Sequence, residues 1–508
     1  MNQDYLHKQQ AEAMQFAARA ADWRNGAIIY QVIVDRFAES ANLNEKMHYY
    51  THPRQLRKWS ETPTPGNFLP EEHVWSHEID FWGGDLKSLG SRMDYLKDLE
   101  VDVLYLNPIH AAATNHKYDA SDYMQISPEY GTRADLIDLI NTAHKSNLKI
   151  VLDGVFNHMG RQSDIFQQAS ASLDNPYRDW FYFGDQFSQG VRLWSNAESL
   201  PELNYENAAV RKYIYEDENS VIRSYLRDGI DGWRLDTAFE LGYQYLFELT
   251  NTAHHEKPGS LVVGEIWNYP KDWFPALDSV MNFTLRQIIL DTVNAKIAPK
   301  LASDMIAKMI EDTGIEEMLK SWVLLDNHDV KRISASLPDR ADQKIAQVLQ
   351  FTLPGSPNLY YGSELGMQGA DDPCNRAPMR WDLLNEQNEV YRWTKKLIHL
   401  RKESRALKIG DYRKILSDKL IAFERCTEKI DETLLIIVNP SDQVIKEMIL
   451  VPDSKLMNAT KLVDLLGSQK LQTIHSGLVE IEIAPKSALV LKPQTAPEDG
   501  YSPFKRIA

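Results

Sequence analysis

The side chains best suited to chemistry in this 508-residue sequence are three carboxylates, Asp236, Glu265 and Asp329, each of which lies in or just after a short apolar run. Further polar and aromatic residues stand at equivalent positions: Asp153, Asn157, His158, Arg234, Trp267, Asn327 and His328. A pair of carboxyl groups can cleave an acetal when one attacks as an anion and the other protonates the leaving oxygen. We therefore consider glycoside chemistry first.

Two other kinds of site fit the sequence less well. A zinc site of the common helical type needs an HxH or HExxH spacing, and neither is present. A serine nucleophile of the hydrolase type needs a GxSxG elbow, which is also missing. Paired carboxylates remain as the strongest interpretation.

The neighbours of the two carboxylates suggest how their work is divided. Arg234 precedes Asp236 by two residues, so both side chains face the same way from a strand, and the cation should lower the pKa of Asp236. Glu265 is expected to be buried without a cationic partner, which would keep it protonated. The sequence thus predicts Asp236 as the nucleophile and Glu265 as the acid.

A repeating order of apolar runs and amphipathic segments predicts how these residues are positioned. Eight runs read as strands buried on both faces: 27–34, 101–107, 148–153, 230–235, 261–265, 279–283, 322–326 and 357–361. Helical periodicity lies between them, which predicts a (β/α)₈ TIM barrel with the polar residues at the carboxyl ends of its strands. The alternative is a doubly wound open sheet, but no glycine-rich phosphate loop follows a strand.

The remaining segments predict attachments to this barrel. We expect an N-terminal helical extension at 1–23, the barrel at 24–158 and 208–406, and a small inserted domain after the third strand at 159–207. From 407 to 508, short apolar runs separated by turn residues predict a C-terminal antiparallel β-sandwich.

Four motifs, in their order along the chain, carry a family resemblance: DGVFNH (153–158), GWRLD (232–236), GEIW (264–267) and LLDNHD (324–329). Together they resemble the signature regions of the α-amylase family, glycoside hydrolase family 13. Three further stretches are most similar to its cyclomaltodextrinase, neopullulanase and maltogenic amylase branch: NHKYDASDY (115–123), DSVMNF (278–283) and DDPCNRAPMRWD (371–382).

The resemblance implies a retaining hydrolase of α-1,4-glucosidic bonds in maltooligosaccharides or cyclodextrins, with transglycosylation as a side reaction. Asp236 would attack, Glu265 would act as acid and then base, and Asp329 would bind the hydroxyls of the distorted sugar. It implies a further set of substrate-binding residues: Tyr118, His158, Arg234, Glu240, Trp267, His328, Asp372 and Arg376. The alternative on the same scaffold is an α-glucan transglycosylase or a trehalose synthase-like isomerase.

Several positions depart from the family's usual pattern. Phe239 and Glu240 replace the lysine–histidine pair of endo-acting α-amylases, and Thr237 favours α-1,4 over α-1,6 bonds. The first strand comes so early that the branch's N-terminal sandwich is expected to be missing. The resemblance implies no organic cofactor. A calcium ion is an open alternative, since Asp35, Asn42, Asn44 and Asp85 could supply oxygens, although their spacing is unusual.

The charge excludes two classes of partner. With 56 Lys and Arg against 72 Asp and Glu, the formal net charge is −16, which repels nucleic acid and anionic membrane surfaces. No run approaches the roughly 20 apolar residues that span a bilayer, and no signal peptide is evident. We expect a cytoplasmic enzyme whose partner is a small oligosaccharide; the oligomeric state stays open.

Overall fold

The computed structural model describes residues 3–468, 470–497 and 501–505. Its centre is a closed barrel of eight parallel strands in which each strand pairs with its neighbours in sequence and the last pairs with the first. The strands are β1 (Ile29–Val32), β2 (Val103–Leu106), β3 (Lys149–Gly154), β4 (Gly232–Leu235), β5 (Leu261–Ile266), β6 (Ser279–Asn282), β7 (Trp322–Leu324) and β8 (Ser356–Tyr360). The predicted TIM barrel is confirmed, each strand lying within or next to its predicted run.

Alternation along each strand divides its side chains between two cores. One set points inward and fills the barrel with residues such as Ile29, Tyr105, Val263 and Trp322. The other set packs outward against the surrounding helices. This two-sided burial explains why the strands are apolar at nearly every position.

The helices around the barrel, in chain order, are Leu86–Gly90, Met93–Asp98, Arg133–Lys145, Val221–Asp228, Ala238–Leu241, Tyr243–Glu256, Phe283–Val293, Pro299–Thr313, Ile315–Lys320, Ile333–Ser336, Arg340–Thr352, Glu389–Glu403 and Arg405–Ile409. The strict alternation that we expected fails at one place. Between β5 and β6 the described chain makes only a 3₁₀ turn at Lys271–Trp273, and no α-helix covers that connection.

Two long connections rise above the carboxyl ends of the strands. The one between β3 and β4 carries the helix Asp164–Ala171, the helical turns Ala208–Arg211 and Lys212–Glu216, and isolated bridges such as His158 to Glu202. The one between β1 and β2 includes a small hairpin, Phe68–Leu69 with Val74–Trp75. Because barrel active sites lie at this end, both connections can reach a substrate.

The C-terminal segment forms two antiparallel sheets. Its strands are β9 (Asp411–Lys414), β10 (Ile421–Cys426), β11 (Leu434–Asn439), β12 (Ile445–Leu450), β13 (Lys461–Asp464), β14 (Gln472–Thr473), β15 (Leu478–Ile483) and β16 (Ser487–Pro493). Strands β12 and β15 pair with each other, and the other six form the larger sheet. A separate apolar core that includes Ile437, Ile449 and Ile481 joins the two sheets, as the predicted sandwich requires.

The N-terminal helix (Gln3–Ala21) packs on this body through a buried arginine. Arg19 is 3 % exposed and contacts Glu316 at 2.7 Å and Asp411 at 2.8 Å. Among the helices in the described ranges, none combines the length and apolarity needed to cross a bilayer.

Candidate active site

The barrel brings the predicted chemical residues to one mouth. Asp236 follows β4, Glu265 is the penultimate residue of β5, and Asp329 follows β7. His158 and His328 lie beyond β3 and β7. Parallel strands end at the same rim, so these residues converge although 171 positions separate His158 from Asp329.

Arg234 is the centre of this cluster. Its side chain is fully buried, and Nη1 donates to Asp153 at 2.8 Å and to Asp236 at 2.9 Å. Nη2 lies 2.9 Å from Oε2 of Glu265. One guanidinium thus holds three carboxylates, two of which are the predicted nucleophile and acid.

This geometry corrects two expectations. Glu265 does have a cationic partner, since the Arg234 fork reaches across to the neighbouring strand. The pKa of Asp236 is also not low: burial raises it well above the usual range, and the opposing charge of Arg234 does not offset burial together with the repulsion of Glu265. The sequence places Arg234 beside Asp236 but does not show that one cation serves several buried acids.

Glu265 is oriented by two hydrogen bonds. The backbone N–H of Thr237 donates to Oε2 at 2.9 Å, and the indole of Trp267 donates to Oε1 at 2.8 Å. Thr237 has a φ of +40°, a left-handed conformation that turns its N–H toward β5. Glu265 therefore binds directly to the residue that follows Asp236.

Tyr118, His328 and Asp329 form a second group beside these acids. The rings of Tyr118 and His328 stack at 5.4 Å, and the tyrosine hydroxyl contacts Nε2 of His328 at 2.5 Å. Nε2 of His328 also lies 3.1 Å from Asp329. Asp329 has 27 % of its side chain exposed to the mouth, yet burial, followed by the charge of Glu265, raises its pKa to about 7.

Burial favours the neutral form of both histidines. Burial lowers the pKa of His158 to about 3, and burial together with Arg376 and Arg234 lowers the pKa of His328 well below its usual value. In His158 the Nε2 atom is buried and has no hydrogen-bond partner among the described residues. A buried, unpaired ring nitrogen can serve a ligand hydroxyl that supplies its missing hydrogen bond.

Asp372 and Arg376 extend the cluster outward from Asp329. Nε of Arg376 lies 3.2 Å from Asp372, and Nη2 lies 3.5 Å from Asp329. Arg376 also donates to the carbonyl of His328 at 2.9 Å. The pair is thus part of the mouth and not an isolated surface ion pair.

Glu240 and Trp267 lie on the opposite side, beyond β4 and β5. Glu240 accepts hydrogen bonds from Trp194 at 3.1 Å and from Asn157 at 3.3 Å, which tie it to the β3–β4 connection. Trp267 is 47 % exposed and stacks on Phe283 at 3.9 Å, almost parallel. These residues make a wall with an aromatic platform.

Sequence reasoning missed a supporting polar network inside the barrel. Gln31 in β1 contacts Nδ1 of His328 at 2.9 Å and donates to Asn107 at 3.0 Å; Asn107 in turn donates to Tyr118 at 3.0 Å. Tyr105 donates to Asp153 at 2.6 Å. A glutamine in the middle of an apolar strand was the available signal for this network.

Two of the residues considered for calcium, Asp35 and Asp85, accept hydrogen bonds from protein donors. Asp35 accepts from three sources: the backbone N–H groups of Trp82 and Gly83, and Arg36. Asp85 binds the ammonium of Lys46 at 2.5 Å, so a positive charge already lies where a cation would stand. Within the described ranges, no group of three or more acidic, histidine or cysteine side chains could hold a metal.

Comparisons with known proteins agree with this architecture. Residues 31–383 match the family Alpha-amylase, described as the α-amylase catalytic domain. Neopullulanase 2 of Thermoactinomyces vulgaris is 31% identical over 92% of this chain and 78% of its own length. A cyclomaltodextrinase of a Bacillus species is 31% identical over 82% of this chain and 73% of its own length.

A solved structure shows the same fold. The ligand-free cyclic α-maltosyl-(1→6)-maltose hydrolase of Arthrobacter globiformis superposes with a TM-score of 0.77 and 25% identity, covering 93% of this chain and 100% of that one. The family match covers more than half of the chain, and the sequence relatives cover most of it. The chain therefore belongs to the α-amylase family of glycoside hydrolases.

Proposed function

We propose that this protein hydrolyses α-1,4-glucosidic bonds of maltooligosaccharides or cyclodextrins by a retaining double displacement. The reactive form of the cluster has Asp236 ionised against Arg234 and a proton on Glu265. A carboxylate oxygen of Asp236 attacks the anomeric carbon while Glu265 gives its proton to the departing glycosidic oxygen. The glucosyl ester on Asp236 is then attacked by water, whose proton passes to Glu265. The ester bond breaks, and both carboxyl groups return to their initial protonation states.

The observation that carries this proposal is the Arg234 guanidinium shared by Asp236 and Glu265, each at 2.9 Å from a different terminal nitrogen. Retaining enzymes need their two carboxyl groups close together, whereas inverting enzymes leave room between them for a water molecule. Carboxylates bound to one planar fork lie side by side, which supports retention.

The surrounding residues would bind the sugar that reacts. Asp329 and the unpaired Nε2 of His158 would take its hydroxyls, and Tyr118 would lie against the ring. Asp372 and Arg376 would bind the next sugar outward. Groups that bind the sugar ring more tightly in its flattened transition-state shape than in its relaxed ground-state shape lower the barrier to both steps.

The substrate class is supported by the relatives. One is named a neopullulanase and another a cyclomaltodextrinase, which act on α-glucans, and this chain matches both over most of its length. We propose short linear or cyclic α-1,4 glucans as substrates, with no organic cofactor. A cytoplasmic location is proposed as well, in keeping with a Bacillus subtilis relative named an intracellular maltogenic amylase.

The test is a panel of cyclodextrins, pullulan, maltotriose, isomaltose, trehalose and sucrose, with the first-formed anomer read by proton NMR. We expect α-anomeric products from α-1,4 substrates. Asp236→Asn should lower kcat on the order of 10⁴-fold or more, whereas Asp94→Asn, at an exposed helix position, should not change it. Initial β-anomers, or full activity of Asp236→Asn, would refute the mechanism.

A second candidate is transfer of the glucosyl group to a sugar, as in a transglycosylase or a trehalose synthase-like isomerase. It is favoured by the exposed Trp267 on Phe283, because an aromatic platform beside the acid can hold a sugar acceptor in place of water. Maltotriose products separate the two activities. Chain-lengthened or isomerised sugars in excess over glucose and maltose would identify transfer as the main reaction.

A further inference from the structure

A small hairpin in the β1–β2 connection presents a tryptophan at the edge of the mouth. In this hairpin, residues 66–79, Phe68 pairs with Trp75 across the two short strands. Trp75 is 48 % exposed, and Phe68 packs edge-on against its ring at 5.7 Å. The indole therefore has a protein support on one side while much of its surface faces solvent.

The base of the 66–79 hairpin is fixed to the loop that carries Tyr118. The side chain of Asn115 donates to the carbonyls of His77 at 2.7 Å and Asp80 at 2.8 Å, and its backbone N–H donates to Glu78 at 2.6 Å. Within the hairpin, the N–H of Trp75 donates to the Glu78 carboxylate at 2.6 Å. These bonds restrict the orientation of Trp75 relative to the Tyr118 loop.

The tip of the hairpin is fixed on the other side of the mouth. Nδ1 of His73 lies 2.6 Å from Oε2 of Glu198, in the β3–β4 connection, and Gln189 holds the second Glu198 oxygen at 3.2 Å. Trp194 in the same segment contacts His158 and Glu240 at the mouth. The hairpin therefore joins the Tyr118 loop to the wall of the site.

Ring contacts and charges place Trp75 on the donor side of the mouth, that is, the side of Asp372 and Arg376, which would bind the sugars attached to the reacting glucose unit. The ring of His116 stacks on Tyr118 at 5.7 Å, and its Nε2 lies 3.4 Å from Glu78. The Trp75 ring lies 6.2 Å from that of His77. The Arg36 guanidinium donates to the carbonyl of Arg376 at 2.5 Å and to that of Asp80, which directly follows the hairpin, at 3.4 Å, so the base of the hairpin lies beside the pair proposed to hold the second sugar.

We propose that Trp75 is a sugar-stacking platform on the donor side, beyond the sugar bound by Asp372 and Arg376, and that it favours α-glucans with a longer donor portion. This inference rests on the hydrolase function proposed above and specifies the substrate class of that same site. The occupant is the apolar C–H face of a glucose unit laid against the indole, with its hydroxyls in water.

The physical basis is a preorganised aromatic surface. An indole offers a large flat apolar area whose few rotatable bonds are already restrained, so little conformational entropy is lost when a sugar stacks on it. Short substrates that end at Asp372 and Arg376 would not reach it. Trp75 would therefore act on the choice between substrates and not on the bond-breaking step.

The experiment compares kcat/KM for maltohexaose with that for maltotriose. In Trp75→Ala the ratio of the two constants should fall about tenfold, through KM, and Trp75→Phe should restore most of it. Tyr501→Ala removes an exposed aromatic ring from the C-terminal region and should leave the ratio as in the wild type. Thermal unfolding of each variant shows whether the hairpin change affects folding.

Calorimetric binding of both sugars in the Asp236→Asn background separates this inference from the proposed function. Loss of maltohexaose affinity on adding Trp75→Ala supports the platform. If the wild type cleaves no α-glucan, only the hydrolase proposal is overturned, and the binding result still decides the platform. Turnover with an unchanged ratio and unchanged affinity would overturn the platform alone.

Discussion

Arg234 sets the charge balance of the site at the scale of single residues. Its guanidinium faces Asp153, Asp236 and Glu265, with Asp329 nearby, so the carboxyl groups outnumber the cation. Burial is the main reason that the pKa values of Asp153, Asp236 and Asp329 are raised, and repulsion by neighbouring carboxylates adds to it for Asp236 and Asp329. Raised pKa values among neighbouring buried carboxyl groups are typical of sites that transfer protons.

Arg234→Lys should impair catalysis severely. A lysine ammonium is a point charge and cannot hold Asp236 and Glu265 on two nitrogens of one plane. We expect kcat/KM to fall on the order of 10²-fold or more for any cleaved α-glucan, measured in steady-state assays. Arg380→Lys, which alters an exposed pair with Asp382, serves as the control. Near-normal activity of the Arg234 variant would contradict the shared-fork arrangement.

Asp329 should make stability depend on pH. Its pKa of about 7 in the folded state lies above that of an unfolded aspartate. Between about pH 4 and 7 the native state therefore binds more protons than the unfolded state, and the free energy of unfolding falls as pH rises. Asp329→Asn should therefore stabilise the fold by about 1 kcal/mol at pH 8, after allowing for the open face, and by less at pH 4.5. Denaturant unfolding at the two pH values measures this; an equal effect at both would refute it.

At the scale of elements, a lysine in the loop after β1 joins two separate parts of the chain. Lys46 bonds Asp85 at 2.5 Å and the carbonyl of Glu129 at 3.0 Å, joining the loop to the turn before the helix Arg133–Lys145. The Asp85 carboxylate also caps the helix Leu86–Gly90 through the Ser88 N–H at 2.6 Å.

Chelation should therefore leave the thermal midpoint unchanged, whereas Lys46→Met should lower it. The substitution leaves the Asp85 carboxylate, which is 5 % exposed, without its cation, at a cost of about 2 kcal/mol. Differential scanning calorimetry with and without EDTA tests both statements, with Lys300→Met, at an exposed pair, as the control. A large loss of stability in EDTA would contradict the role given to Lys46.

The elements themselves could largely be predicted, but the contacts between their side chains could not. Apolar runs mark the eight strands because burial on both faces demands such runs, and a Thr132 capping box, a local sequence pattern, begins the helix Arg133–Lys145. The reach of Arg234 to Glu265 depends on strand register and rotamer, which no local pattern encodes. The apolar spacing over residues 85–99 is continuous and typical of one helix, but the structure has two, Leu86–Gly90 and Met93–Asp98.

At the scale of the whole molecule, two buried arginines bind backbone carbonyls: Arg425 connects the sandwich to the barrel, and Arg401 connects two parts of the barrel. Arg425 in β10 is fully buried and donates to the carbonyls of Thr352, at the end of a barrel helix, and of Gly410. Arg401 in the helix Glu389–Glu403 donates to Phe351 and Gly26. Each guanidinium satisfies several carbonyls that would otherwise be buried without partners.

Arg425→Met should lower the free energy of unfolding by about 3 kcal/mol, because it leaves buried carbonyls unsatisfied at the junction. The catalytic constants of the folded fraction should not change, since the junction is remote from the barrel mouth. Denaturant titration combined with activity assays tests this. Lys446→Met, at an exposed position of β12, should resemble the wild type. An unchanged unfolding midpoint for the Arg425 variant would show that the junction contributes little.

Arg19 in the N-terminal helix finds its two carboxylates almost 300 and 400 positions further along the chain, at Glu316 and Asp411. During synthesis, this helix leaves the ribosome well before either partner, and it cannot complete its docking until the start of the sandwich has emerged. A helix that is made early is therefore docked late, so a nascent chain halted before residue 411 leaves the helix Gln3–Ala21 incompletely docked and accessible to chaperones or proteases.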